Sequence, residues 1–223
     1  PILALTATAT KKVAKDIQDK LLFKKQNVIQ NSFRRPNLAY MALEESHKST
    51  RVHKILQKIK GPAIIYVRNR KKAHEFSSEL NKLGVSSTYY HAGLSEDDRT
   101  VNQAKWMNNI TRVMVATNAF GMGIDKPDVR LVIHLQNPDT TEAYFQEAGR
   151  AGRDGKNAFA ISLFQKSDFE NSMNRFTETY PSSSDVRKIY QNLADFLQIA
   201  IGDGFEQAYD FEFEKFCSKY QLN

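Results

Sequence analysis

The sequence predicts an α/β fold: a parallel sheet flanked by helices, with a short, mostly helical C-terminal appendage. Three observations predict it. Short β-rich runs alternate with helix-period segments between residues 63 and 164, the pattern of strands joined by helical crossovers. Gly-rich and charged loops follow those runs, where ligands gather in such sheets. A Pro-Ser-Ser-Ser break at 181–184 ends the alternation, and only helix-period sequence and turns come after it.

The elements follow in order. Residues 2–5 (ILAL) read as a buried strand, and 11–23 as a helix with Val13, Ile17 and Leu21 on one face. A polar stretch around Pro36 leads to a strand at 38–43. Residues 49–60 form a helix with Val52, Ile55, Leu56 and Ile59 inward, stopped by Gly61-Pro62. AIIYV at 63–67 is a strand. Residues 71–83 are helical, with Ala73, Phe76 and Leu80 on one stripe and Gly84 at the stop. Strand 87–90 precedes a helix opened by Ser95, with Asp98 three residues on. Strands at 113–116 and 131–134, a helix at 140–148 and a strand at 158–164 complete the alternation. Ser167 is expected to cap a helix carrying Phe169, Met173 and Phe176, and Asp185 another carrying Ile189, Leu193 and Phe196. A Gly202-Asp203-Gly204 turn leads to Phe213, Phe216, Cys217 and Tyr220 at helical spacing.

Composition bounds the function. The 223 residues suffice for one α/β domain and a small appendage, and 41% hydrophobic content supports a packed core. No apolar run approaches the ~20 residues of a membrane span, and the short apolar start lacks the basic n-region of a signal peptide. A single cysteine, Cys217, excludes an internal disulfide and a cysteine-rich zinc site. A reducing setting is expected, cytoplasmic or else in the nucleoid or nucleus. The net charge of +7 is compatible with a polyanion partner.

The strongest local signal is QEAGRAGRDG at 146–155. A guanidinium is planar, permanently charged and forked, which suits phosphate oxygens. Arg150 and Arg153 in a Gly-rich turn could clamp a γ-phosphate; the plain alternative is a solvated basic turn. In the loop after strand 113–116, Thr117, Asn118, Gly121, Gly123 and Asp125 offer a hydroxyl, amides and a carboxylate. Asp125 could hold a ribose hydroxyl or position an arginine, or the loop could be only a turn. Glu96-Asp97-Asp98 is read as a helix first turn rather than a metal site. The five histidines lack metal-ligand spacing. Trp106 is assigned to the core, and at most one of Tyr89 and Tyr90 to the surface.

Together these pieces resemble superfamily 2 ATP-dependent DNA helicases, and within them the RecQ family. LTATAT (5–10) looks like motif III, and FRRPNL (33–38) resembles a segment typical of RecQ proteins. AIIYVRNR (63–70) is similar to motif IV. YHAGLS (90–95) and ATNAFGMGIDKPDVR (116–130) resemble motifs IVa and V, and YFQEAGRAGRDG (144–155) motif VI.

The resemblance implies the C-terminal RecA-like motor lobe of a 3'-5' helicase. Arg150 and Arg153 would reach ATP across an interlobe cleft, with Arg153 preferred as arginine finger and Gln146 beside them. Asp125 and Gly123 would face the nucleotide. Arg68, Asn69, Arg70, His91, Thr117 and Asn118 would lie toward single-stranded or forked DNA. Thr6 and Thr8 would couple the lobes. Residues 1–32 would end a missing N-terminal RecA-like lobe, 33–180 form the second lobe, and 181–223 a zinc-free helical appendage leading toward a winged-helix domain. ATP and Mg2+ are the implied cofactors, with the Mg2+ ligands elsewhere and no zinc. The sequence has no GxxxxGK[ST] phosphate loop and no acidic Asp-Glu box, so the chain is expected to begin at motif III and to be inactive alone. Two rival readings are a single-strand binder without ATP chemistry and a regulatory α/β domain with idle motifs.

Overall fold

The computed structural model describes all residues except 1, 7, 8, 26, 31, 33, 122 and 223. Thr8 of the coupling pair and Phe33 at the head of FRRPNL therefore lie outside the described residues.

The predicted alternation is present. The elements are α1 (Lys11–Lys20), β1 (Leu38–Glu44), α2 (Lys48–Lys58), β2 (Ala63–Tyr66), α3 (Arg70–Lys82), β3 (Ser87–Tyr90) and α4 (Glu96–Met107). There follow β4 (Val113–Ala116), β5 (Leu131–His134), α5 (Thr141–Ala148), β6 (Ala158–Phe164), α6 (Lys166–Thr179), α7 (Ser183–Leu197) and α8 (Phe213–Tyr220). Local chemistry sets the starts: the side chains of Thr10, Asn69, Ser95 and Thr140 each accept a backbone N–H at the head of their helix. Gly84, at φ +76°, lets the chain leave α3 in a conformation that a Cβ would oppose.

The six strands pair in the order β1-β6-β5-β2-β4-β3, all parallel. The central strands are buried on both faces. Ile65, Val115, Ile133 and Leu163 pack against Val52 and Leu56 of α2 and Ala73 and Leu80 of α3. Ile64, Met114, Val132 and Ala160 face the other layer with Trp106, Phe120, Ala148 and Ala151. Such two-sided burial accounts for apolar runs like AIIY and LVIH. Trp106 is fully buried, and its indole N–H donates to the Ala63 carbonyl at 3.1 Å.

Four expectations are corrected. Residues 2–5 form no strand; Ile2, Leu3 and Leu5 are exposed, and the segment has no place in the sheet. An apolar run of four carries no periodicity that distinguishes a strand from an irregular segment. Helix α1 ends at Lys20 rather than at 23, because Leu22 turns to φ +52°. Ser167 lies inside α6, whose start is tied instead by Asp168, which accepts the Gln165 N–H at 2.8 Å. Ser182, not Asp185, caps α7, and Asp185 returns the bond as the third residue of a capping box.

Residues 1–168 form one compact unit and 169–223 a second. The second holds an aromatic cluster in which the Phe196 ring lies 5.5 Å from Phe216 and 5.9 Å from Phe211. No helix among the described residues is long and apolar enough to cross a membrane.

Candidate functional site

The sheet's carboxyl edge gathers one group of predicted residues. The ends of β5, β2, β4 and β3 are side by side, and the backbone continues the ladder past them. Val67 N–H donates to Ala116, Thr117 N–H to Tyr90, and Leu135 N–H to Tyr66. Arg68–Arg70, Thr117–Asn118 and His91 thus emerge from three neighbouring strands. Arg68 is anchored sideways: its guanidinium donates to the Asn137 carbonyl at 2.9 Å and pairs with Asp139 at 2.8 Å. Asn69 caps α3. The Arg70 guanidinium lies against Gly93, so closely that a Cβ there would stand 2.7 Å from Nη1. Thr117 is buried and Asn118 exposed. Burial, then the neighbouring charge of Arg70, holds the His91 imidazole below its ordinary pKa, and its Nδ1 is buried without a partner. A group shifted that way is neutral at pH 7, so His91 offers a hydrogen-bonding ring rather than a cation.

The arginine turn lies apart from this group. Helix α5 runs away from that edge, so GRAGRDG ends beside the residues that precede β5. Gly152 N–H donates to Val129 at 2.8 Å and Asp154 N–H to Pro127 at 3.2 Å. Arg130 closes the turn with a 2.6 Å bond to Asp154, which holds that carboxyl below its usual range. Both arginines then lean onto the β4–β5 loop. Arg150 Nη1 donates to the Gly121 carbonyl at 2.7 Å, and a Cβ on Gly121 would collide with the guanidinium. Arg153 Nη1 donates to Ile124 at 3.1 Å and pairs with Asp125 at 2.8 Å. Of the two uses weighed for Asp125, the structure shows it holding an arginine. Gly123 is exposed at φ +76°, and Gln146 is exposed one helical turn before Arg150. Thr6 is exposed in the irregular N-terminal segment.

Sequence reasoning missed the support beneath Arg150. Tyr66 and His134, paired in register on β2 and β5, stack with ring centroids 5.3 Å apart. Fully buried His134 meets Glu147 of α5 at 2.8 Å, and the Tyr66 hydroxyl donates to Phe120 at 3.0 Å. Burial raises the Tyr66 pKa well above normal despite the opposing Arg150 beside its hydroxyl. The available signal was His134 itself, a polar residue closing an otherwise apolar buried strand, which implies a buried partner. Among the described residues no three His, Cys, Asp or Glu side chains gather as a metal site.

Residues 47–155 match the helicase conserved C-terminal domain. The chain is 43% identical over 176 residues to the probable ATP-dependent DNA helicase RecS of Bacillus subtilis, covering 76% of this chain and 35% of that protein. It is 41% identical over 168 residues to the ATP-dependent DNA helicase RecQ of the same organism, covering 75% and 28%. It is 40% identical over 195 residues to the RecQ-like DNA helicase blm-1 of Caenorhabditis elegans, covering 86% and 20%. The chain therefore spans about a third or less of the length of these relatives. Among solved structures, the RNA helicase Prp28 of Chaetomium thermophilum bound to ADP superposes with a TM-score of 0.55 at 26% identity, over 80% of this chain and 45% of that one. The Saccharomyces cerevisiae protein Dbp5 bound to RNA and ADP BeF3 gives 0.60 at 20% identity, over 79% and 48%, a likeness of fold. Sequence and RecA-like fold agree: the chain matches the C-terminal lobe of RecQ-family helicases.

Proposed function

We propose that this chain is the second motor lobe of an ATP-dependent 3'-5' DNA helicase, with Arg153 as its arginine finger and the carboxyl edge of the sheet as its track for a DNA strand. The observation that supports the finger is the difference between the two arginines. Arg150 is part-buried and wedged between Gly121 and Tyr66. Arg153 is more exposed and held chiefly by Asp125, whose side chain is 82% exposed. An exposed ion pair is worth about 0–1 kcal/mol, so a bound polyphosphate can take Arg153 from Asp125 at little cost. Arg150 then serves as the fixed contact and Arg153 as the movable one, with Gln146 and Gly123 bordering the nucleotide.

In this reading ATP is gripped by a partner N-terminal lobe, to which residues 1–32 belong. Residues 33–180 form the present lobe and 181–223 an appendage. Mg2+ would be held by that partner lobe; no step is assigned to it. Arg68, Asn69, Arg70, His91, Thr117 and Asn118 contact DNA phosphates rather than bases, so sequence preference is weak.

Two measurements test this. The isolated chain is expected to turn over no ATP, with or without single-stranded DNA; DNA-stimulated hydrolysis by it contradicts the proposal. Its DNA affinity is expected to fall steeply with salt, and Arg70→Ala to flatten the log–log slope by about 0.7, one phosphate contact on a single strand. An affinity indifferent to salt removes the proposed track.

A further inference from the structure

The segment RRPN at 34–37 has no role in the account so far, yet its side chains close on the arginine turn. Arg35 Nη1 donates to the Gly149 carbonyl at 3.1 Å; its Nη2 donates to Ala151 at 3.0 Å and Gly152 at 2.5 Å. Asn37 Nδ2 donates to Gly152 at 2.7 Å and to Lys156 at 2.9 Å. The Asn37 carbonyl accepts the Ala158 N–H at 2.9 Å, where β6 begins. Pro36 fixes the backbone between the two donors.

We propose that Arg35 and Asn37 are positioning residues that set the aim of Arg150 and Arg153. The physical need is plain. Gly149 caps the C-terminus of α5, where carbonyls run out of intrahelical donors and the helix dipole is negative. A guanidinium there satisfies several carbonyls at once and answers the dipole. The carbonyls it takes, at 149, 151 and 152, bracket Arg150 and directly precede Arg153. Gly152 shows how tightly the turn is held. Its φ is +65°, and a Cβ would stand 2.7 Å from Asn37 Nδ2 and 2.9 Å from the Ala158 Cβ. The turn is thus gripped from the start of β1 on one side, and by Val129 and Arg130 on the other.

This inference rests on Arg150 and Arg153 being nucleotide contacts. Its test uses the full-length protein carrying this chain, with DNA-stimulated ATP turnover, ATP KM and DNA affinity measured in parallel. Arg35→Ala is expected to lower kcat by about 10²-fold, the scale of an ångström-level misplacement, while KM and DNA affinity barely move. Arg35→Lys, which can serve only some of the three carbonyls, is expected to recover part of the loss. Asn37→Asp, which sets an acceptor against two acceptors, is expected to be worse than Asn37→Ala. Combined with Arg153→Ala, Arg35→Ala should add clearly less than it costs in the wild type, because part of its effect passes through Arg153. A merely structural role would lower turnover and DNA binding together as folded protein is lost. Wild-type turnover in Arg35→Ala while Arg153→Ala is inactive overturns the proposal, as do losses that multiply in the double variant. If Arg153→Ala itself is fully active, the proposed function fails instead. The grip is then judged by amide exchange across residues 149–155, expected to quicken in Arg35→Ala; unchanged exchange there overturns it.

Discussion

In the full-length protein carrying this chain, Arg153→Ala is expected to cut DNA-stimulated ATP turnover by about 10³–10⁵-fold, the range of arginine fingers. The reasoning starts from where charge develops. During phosphoryl transfer, negative charge spreads over the outer oxygens of the transferred group. A guanidinium placed there stabilises the transition state more than bound ATP. ATP affinity should therefore change little, and so should DNA affinity, because Arg153 sits in the turn after α5, against Ile124 and Asp125 and apart from the residues proposed to meet DNA. Lysine should rescue poorly, since one ammonium lacks the planar fork. Asp125→Ala is the informative companion. It frees Arg153 from its partner, so turnover should persist, with a small change in either direction. Measured turnover, ATP affinity and DNA affinity for these variants decide the matter. A loss of only a few-fold, or a loss of ATP affinity as large as the loss of rate, assigns the role to Arg150 instead.

The second large effect is on stability. His134 is completely buried and shares a 2.8 Å bond with Glu147, whose side chain is 11% exposed. His134→Leu preserves bulk but strands the Glu147 carboxyl beneath α5. Breaking one side of a buried pair costs about 3–5 kcal/mol, a large fraction of the stability of most domains. The double variant His134→Leu/Glu147→Leu should regain most of that loss, because an apolar pair needs no partner. Denaturant unfolding of the four species gives the cycle. If the single variant is as stable as wild type, the pair contributes nothing; if the double variant is as unstable as the single one, packing rather than pairing sets the cost.

Much of the sheet was legible because its signals are local. Alternating apolar runs and helix-period segments located β1 through β6 within a residue or two, and the side-chain cap at Ser95 marked its helix. Arg150, Arg153 and Asp125 stood out as candidates, since guanidinium and carboxylate chemistry narrows their uses. Their arrangement was not. That Asp125 holds Arg153 depends on a loop folding back across 28 positions. Likewise Arg35 and Asn37 act on carbonyls, and a carbonyl has no sequence signature, because every residue carries one. Residues 2–5 misled for the opposite reason: apolar content was present, but the strand partner that content presupposes was not.

The strand order has a consequence for how the chain acquires its shape. β1 is made early and joins the sheet only through β6, made last; Leu38 faces Ala158, and Arg35 reaches Gly149 across 114 residues. Contacts of such sequence separation carry a large loop-closure entropy and tend to form late. During synthesis, β1 must wait while the central strands are assembled, and until it arrives the flank of β6 is an open edge able to accept a foreign strand. The arginine turn shares this schedule, because its hold from residues 35 and 37 arrives with β1. An incompletely folded chain would then have a nearly finished sheet and an untrained turn, so gain of secondary structure should run ahead of gain of a correctly shaped arginine site during refolding.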